Sequence, residues 1–136
     1  MKLYQEIILD HYKNPSNQGL DEDFTSEGYA VNPICGDEIS VRFSGTQYVH
    51  MTHMVSGCAI SQAAASVLSE ILDGAKCECV ERLVDQFCAA VSGGEFDSDL
   101  HDDLEAFSGV VRYPARVKCA LLPTVAVRRA LTGNEK

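Results

Sequence analysis

Close to residue 58 the chain changes its hydrophobic period from two to that of a helix, and that switch limits the folds open to it. Upstream, Ile39, Val41 and Phe43 alternate with polar residues, the period-two signature of a half-buried strand. Gly45-Thr46 supplies a turn before a second strand pattern over Tyr48 to Val55, and a strand around Tyr29-Ala30-Val31 completes a three-stranded antiparallel sheet. Downstream the period becomes helical. Ala59 to Leu72 is rich in good helix formers and stops at Gly74. Val80, Leu83, Val84, Phe87 and Val91 form a second apolar stripe, closed by Gly93-Gly94. Leu100 to Phe107 supports a short helix capped by Asp99, and a last helix is expected from about Cys119 to Leu131, with Pro123 in its first turn. At the other end, Leu3, Tyr4, Ile7, Ile8 and His11 recur at helical spacing over residues 2–13, and Asn14-Pro15 ends that helix. Asn17 to Glu27 reads as a loop. The expected fold is α+β, a small antiparallel three-stranded sheet packed against several helices in one domain over 1–136.

Composition narrows the function. Hydrophobic residues make up 46% and charged residues 23% of the 136 positions, so a globular core is expected. The formal net charge of −9 argues against sequence-independent nucleic-acid binding and fits docking onto a basic patch of a partner. Acidic residues appear by Glu6 and Asp10, and no apolar run approaches a membrane span, so neither a signal peptide nor a membrane anchor is expected. A cytoplasmic protein keeps its thiols reduced. Six cysteines there point to metal ligands or reactive groups rather than disulfides.

The cysteines divide by context. Cys35 lies in Asn32-Pro33-Ile34-Cys35-Gly36-Asp37, where Pro33 stiffens the approach and Gly36 permits a tight turn. That turn would bring the Cys35 thiolate and the Asp37 carboxylate to one side, a reasonable pair of zinc ligands. Cys58 follows Ser56-Gly57 at the strand-to-helix switch, where a helix dipole and free N–H groups favour a thiolate. Cys119 is expected at the start of the last helix behind Arg116 and Lys118, a setting that also favours a thiolate. Each thiol taken alone also fits a small buried hydrophobe, and the wide spacings match no zinc-finger pattern. Cys77, Cys79 and Cys88 read as structural: residues two apart on a helix do not share a face, and Cys88 sits in an apolar stripe. His50 and His53, three apart on a strand, point to opposite faces and read as ordinary residues. The acidic run from Glu95 to Asp103 lacks the ligand order of a calcium loop and reads as a solvated loop with a helix cap.

Four motifs taken together resemble the IscU/SufU family of iron–sulfur assembly proteins. They are Leu3-Tyr4-Gln5-Glu6-Ile7-Ile8-Leu9-Asp10-His11-Tyr12-Lys13-Asn14-Pro15, the Asn32 to Asp37 segment, Gly57-Cys58-Ala59-Ile60-Ser61, and Pro114-Ala115-Arg116-Val117-Lys118-Cys119-Ala120. Their order is the family's, and they span nearly the whole chain. The likeness is closer to SufU. Lys118 stands where IscU-type proteins carry His, Tyr113-Pro114-Ala115-Arg116-Val117 replaces their chaperone-recognition segment, and Gly93 to Val110 resembles the SufU insertion. Departures are Ser56 for the usual Gly, and Thr124 beside an atypical Pro123 where an aromatic residue is usual.

The resemblance implies that Cys35, Asp37, Cys58 and Cys119 bind zinc tetrahedrally, and that a pyridoxal-phosphate cysteine desulfurase is the partner. It implies further that the partner displaces one ligand and frees Cys35 to accept a persulfide sulfur, with apo-protein or scaffold acceptors downstream. The chain is then a zinc-dependent sulfurtransferase rather than a stand-alone enzyme. The alternative is a scaffold on which an iron–sulfur cluster is assembled by the same ligands and transferred to apo-proteins. A purely structural zinc domain is a third reading; it requires that metal loss unfold the chain.

Overall fold

The alternating segments pair as an antiparallel sheet in the order β1-β2-β3, with β1 at Ser26–Asn32, β2 at Asp37–Ser44 and β3 at His50–Ser56. The computed structural model describes residues 3–133. Strand β2 is central, and Asp37, Ile39, Val41 and Phe43 are its buried positions while the residues between them are not. The register sets Gly28 and His53 on either side of Val41, and Ala30 and Val55 on either side of Ile39. Directly paired residues share a face, so this row faces the helices.

Four α-helices are described: α1 at Tyr4–Lys13, α2 at Ala59–Leu72, α3 at Val80–Ser92 and α4 at Pro114–Thr132. Two 3-10 segments, Cys77–Cys79 and Leu104–Arg112, precede α3 and α4. Helix α2 is buried on most of its surface, through Ala63, Ala64, Ala65, Val67, Leu68 and Leu72, because α1, α4 and β3 all pack on it. Its buried polar groups are serines, Ser61, Ser66 and Ser69, small enough to pack while Ser61 bonds back to Cys58 and Ser66 and Ser69 reach His11 and the Ser16–Asn17 segment. Helix α3 closes the far side through Val80, Val84, Phe87 and Val91, with the Phe87 and Phe107 rings edge-on at 6.1 Å.

Helix α4 lies across β1 at Gly28. A Cβ on residue 28 would fall 1.9 Å from the Ala126 carbonyl oxygen and 2.7 Å from the Ala130 nitrogen. Only glycine permits that approach, and it draws the whole of α4 onto the sheet.

The expected elements all appear, with five shifts. Strand β1 begins at Ser26, inside the expected Asn17 to Glu27 loop. The start of the first helix at Lys2 lies outside the described residues, and α1 is seen from Tyr4. Strand β3 begins at His50, since Tyr48 instead bridges to Lys76. The short helix lies at Leu104–Arg112 rather than 100–107, and Asp99 does not cap it; the Asp99 amide donates to Asp97 in a local turn. The last helix starts five residues before Cys119. Pro114 takes its first-turn position, and Pro123 falls in the buried interior of the helix. A proline there has no N–H for the Cys119 carbonyl one turn earlier.

Candidate metal centre

The β1–β2 connection is built to present Cys35. Asn32 and Asp37 are the last register pair of the hairpin. The Gly36 amide donates to the Asn32 carbonyl at 2.8 Å, and the Ile34 amide donates to the Asn32 side-chain oxygen at 3.2 Å. Gly36 takes a φ of +76°, in the left-handed region that glycine enters without steric cost. Cys35 and Ile34 are left exposed on the turn. Asp37, the first residue of β2, points inward and is 2% exposed.

Cys58 is the N-cap of α2. Its sulfur accepts from the Ser61 amide at 3.5 Å, and its own amide donates to Asp37 Oδ1 at 3.0 Å. The other Asp37 oxygen lies 3.5 Å from Cys58 Sγ. Residue 57 has to be glycine for this contact, since a Cβ there would lie 2.4 Å from Asp37 Oδ1.

Cys119 arrives from the opposite side on α4. Its sulfur is 3.7 Å from Cys35 Sγ, and the ligand atoms of Cys35, Asp37 and Cys119 all lie within 4.8 Å of one another. Cys119 is buried, and that burial, first, pushes its thiol well above the ordinary range; hydrogen bonds to Asp37 and Cys35 and the neighbouring Cys58 push the same way. This corrects the expectation of an electropositive setting. Arg116 stacks over the Tyr113 ring at 5.5 Å, and Arg116 and Lys118 are both exposed.

Cys35, Asp37 and Cys119 therefore converge from the β1–β2 turn, the start of β2 and the second turn of α4, while Cys58, at the N-terminus of α2, touches the group through Asp37 and lies outside the mutually close set. With Cys58 as a fourth donor the set would have soft sulfur in the majority, two buried groups and a negative charge on each once deprotonated, the donor chemistry that a zinc-type ion takes. A divalent cation reverses the electrostatics at Cys119, because metal ligation requires the thiolate.

The remaining cysteines stay apart from this cluster. Cys77 is exposed, with its thiol donating to the Thr46 carbonyl at 3.3 Å. Cys79 and Cys88 are half-buried, and Cys88 lies 3.7 Å from an Arg128 nitrogen. His50 faces solvent between Asp73 and Asp21, and His53 faces the core, as opposite faces of a strand require. Two contributors went unnoticed in the sequence. Ser61, three residues after Cys58, is a helix-cap spacing that was legible; the space Asp37 takes at Gly57 was not.

Comparison with known proteins agrees with this geometry. The family model for the NifU-like N terminal domain matches residues 3–120. The zinc-dependent sulfurtransferase SufU of Bacillus subtilis (strain 168) is 34% identical over 136 residues, covering 98% of this chain and 92% of that protein. The iron-sulfur cluster assembly scaffold protein IscU of Streptococcus pyogenes serotype M1 is 31% identical, covering 95% and 82%. Among solved structures, a protein of Fervidobacterium islandicum AW-1, described as an iron-sulfur cluster assembly scaffold for the SUF system, superposes with a TM-score of 0.84 at 30% identity, covering 93% and 94%. The chain belongs to the NifU-like N-terminal domain family and is an iron–sulfur cluster assembly protein of its IscU/SufU group.

Proposed function

We propose that the chain is a zinc-dependent sulfur acceptor: it takes sulfur from a pyridoxal-phosphate cysteine desulfurase and passes it to a downstream acceptor, from a metal site formed by Cys35, Asp37, Cys58 and Cys119. The observation that carries this reading is the unequal burial of the four donors. Asp37 and Cys119 are held in the interior; Cys58 is exposed but tied to the Ser61 amide, whereas Cys35 stands exposed on a glycine-containing turn with its sulfur near that of Cys119. One thiol is thus free to leave the set while the other three donors stay in place.

Zinc, when bound, supplies a cation that keeps the thiols deprotonated. The chain's own residues do the rest. Gly36 lets the turn carry Cys35 outward without moving β2. The Cys35 thiolate attacks the outer sulfur of a persulfide on the desulfurase; a new S–S bond forms at Cys35 Sγ, the desulfurase's S–S bond breaks, and its cysteine departs as thiolate. Asp37 keeps its hydrogen bond to the Cys58 amide and so preserves the site for Cys35 to re-enter. The relative named a zinc-dependent sulfurtransferase supports this reading. Thiols kept reduced for such chemistry suit a reducing compartment such as the cytoplasm.

The second reading, a scaffold carrying an iron–sulfur cluster as cargo, is favoured by the exposure of Cys58 as well as Cys35, and by the relatives named IscU. Elemental analysis of anaerobically purified protein, paired with desulfurase turnover with and without it, separates the two. Zinc that a Cys58→Ser/Cys119→Ser double variant fails to retain, with faster turnover that Cys35→Ala abolishes, is the expected result. Full stimulation by Cys35→Ala removes that residue from the acceptor role. Iron and sulfide without stimulation assign the site to a cluster.

A further inference from the structure

A second cluster of metal-ligating side chains lies outside the cysteine site. His11 of α1, Glu70 of α2 and Asp103 bring ligand atoms within 4.8 Å of one another. His11 Nε2 is 2.7 Å from Asp103 Oδ2, and His11 is itself buried. His101 Nε2 lies 2.7 Å from Glu70 Oε1, and the Ser16 hydroxyl donates to Glu70 Oε2.

Proton accounting separates ligands from supports. His101 Nδ1 accepts the Asp103 amide at 3.0 Å, so its ring proton is on Nε2 and is donated to Glu70. His101 therefore orients Glu70 and is not itself a ligand. His11 Nδ1 contacts Ser66 Oγ at 2.7 Å, and that oxygen already accepts the Ser16 amide at 2.8 Å. A hydroxyl oxygen accepts two donors. His11 can thus carry its proton on Nδ1, give it to Ser66, and leave the Nε2 lone pair to a metal.

The charge balance points the same way. Two carboxylates share this cluster in a chain of net charge −9, and among the described residues their side-chain partners are His11, His101 and Ser16, with no Lys or Arg. Carboxylates this close need a shared positive charge. A divalent ion supplies it.

We propose that His11 Nε2 and the carboxylates of Glu70 and Asp103 form a second site, for a divalent transition ion of the zinc type. One nitrogen and two oxygens suit zinc, cobalt or manganese, and each of the His and Glu ligands already has the outer hydrogen bond that such ligands carry: Ser66 on His11, His101 and Ser16 on Glu70. Bonds of about 2.0–2.2 Å hold ligand atoms roughly 3.3 Å apart, so His11 and Asp103 separate by about half an ångström on binding. The proton between them leaves to solvent. The ion joins α1, α2 and the acidic segment ahead of Leu104–Arg112, and it requires none of the cysteines.

The test is a cobalt(II) titration of the metal-free, reduced full-length chain. Two equivalents are expected. One brings intense sulfur-to-metal charge-transfer absorption, and the other adds only weak d–d bands. His11→Gln removes the second equivalent alone, Glu70→Gln and Asp103→Asn each weaken it at least tenfold, and Ser66→Ala weakens it about tenfold. The Cys58→Ser/Cys119→Ser variant loses the charge-transfer bands and keeps the weak ones, so failure at either site is read separately. Saturation of the unsubstituted chain at one equivalent overturns the proposal, whatever the variants do. So does a second equivalent that His11→Gln, Glu70→Gln and Asp103→Asn leave unchanged.

Discussion

At residue 57 a single added carbon would meet Asp37 at three atoms, Oδ1 at 2.4 Å, Cγ at 2.7 Å and Cβ at 2.9 Å. Asp37 is short, buried and fixed by the hairpin register opposite Asn32, so it has little freedom to retreat. Gly57→Ala is expected to turn the carboxylate away from the Cys58 amide, with a cost of about 1–3 kcal/mol in stability. Metal affinity at the cysteine site should fall by roughly tenfold or more, because the hydrogen bond that aims the ligand is lost. A zinc-chelator competition assay reads this, and unchanged affinity would show that Asp37 is not a ligand. His53 offers a second test. It is 1% exposed; its Nε2 donates to the Ser16 carbonyl at 2.7 Å, and its Nδ1 finds no partner among the described residues. Burial lowers its pKa below the ordinary 6.5, against the smaller raising effect of that carbonyl. The folded state then binds fewer protons than the unfolded one as pH drops through 6.5, so stability falls in that direction. His53→Gln retains a donor for Ser16 without the titration. Its Tm should therefore decline less between pH 7 and pH 5 than that of the unsubstituted chain, and equal slopes would assign the effect to other groups.

At the scale of elements, the decisive contact is α4 on β1. An Ala at position 28 would drive its Cβ into the α4 backbone, which cannot rotate aside as a side chain can. Gly28→Ala is expected to cost on the order of 3 kcal/mol. It should also weaken metal binding, because Cys119 rides on the helix that is lifted. Gly109, where a Cβ would meet nothing within 4 Å, is the control: Gly109→Ala should be neutral or stabilising by up to about 1 kcal/mol. Denaturant midpoints at constant m measure both, and equal midpoints for the two variants would refute the account. These contacts also mark where the sequence was readable. Strand β2 was plain because one of its faces meets the core and the other does not, so burial and polarity alternate together. The Cys35 turn and the Cys58 cap were readable because local rules, a glycine turn and a helix N-terminus, produce them. The start of α4 was misplaced because Pro123 resembles a first-turn proline and the true one, Pro114, lies farther upstream. The depth of Cys119 was unreadable for a different reason: it depends on how closely α4 approaches β1, and Gly28, which permits that approach, lies more than ninety residues away.

Across the whole molecule, the cysteine site stands at the junction where the hairpin, α2 and α4 meet, at the Asp37 end of the buried face of β2, and the main core lies farther along that face. That core includes Phe87, Phe107, Leu68, Leu72, Val84 and Val41, all fully buried and none a ligand. Metal removal should therefore loosen one junction and leave the rest packed. Binding of an ion to the folded state alone contributes RT ln(1 + [L]/Kd), about 2.7 kcal/mol at a hundredfold excess over Kd. For a chain of this length that corresponds to a fall in Tm of roughly 8 °C on chelation, at about 3 °C per kcal/mol. The chelated protein should retain its far-ultraviolet circular dichroism at 25 °C and melt cooperatively at the lower temperature. The same measurement on Cys35→Ala discriminates further. If Cys35 is the ligand that leaves, its loss should lower Tm by less than the loss of Cys119, whose buried position ties α4 to the hairpin. Complete unfolding on chelation would instead make the metal a structural element, and a site that unfolds the chain when a ligand leaves cannot release a thiol for transfer.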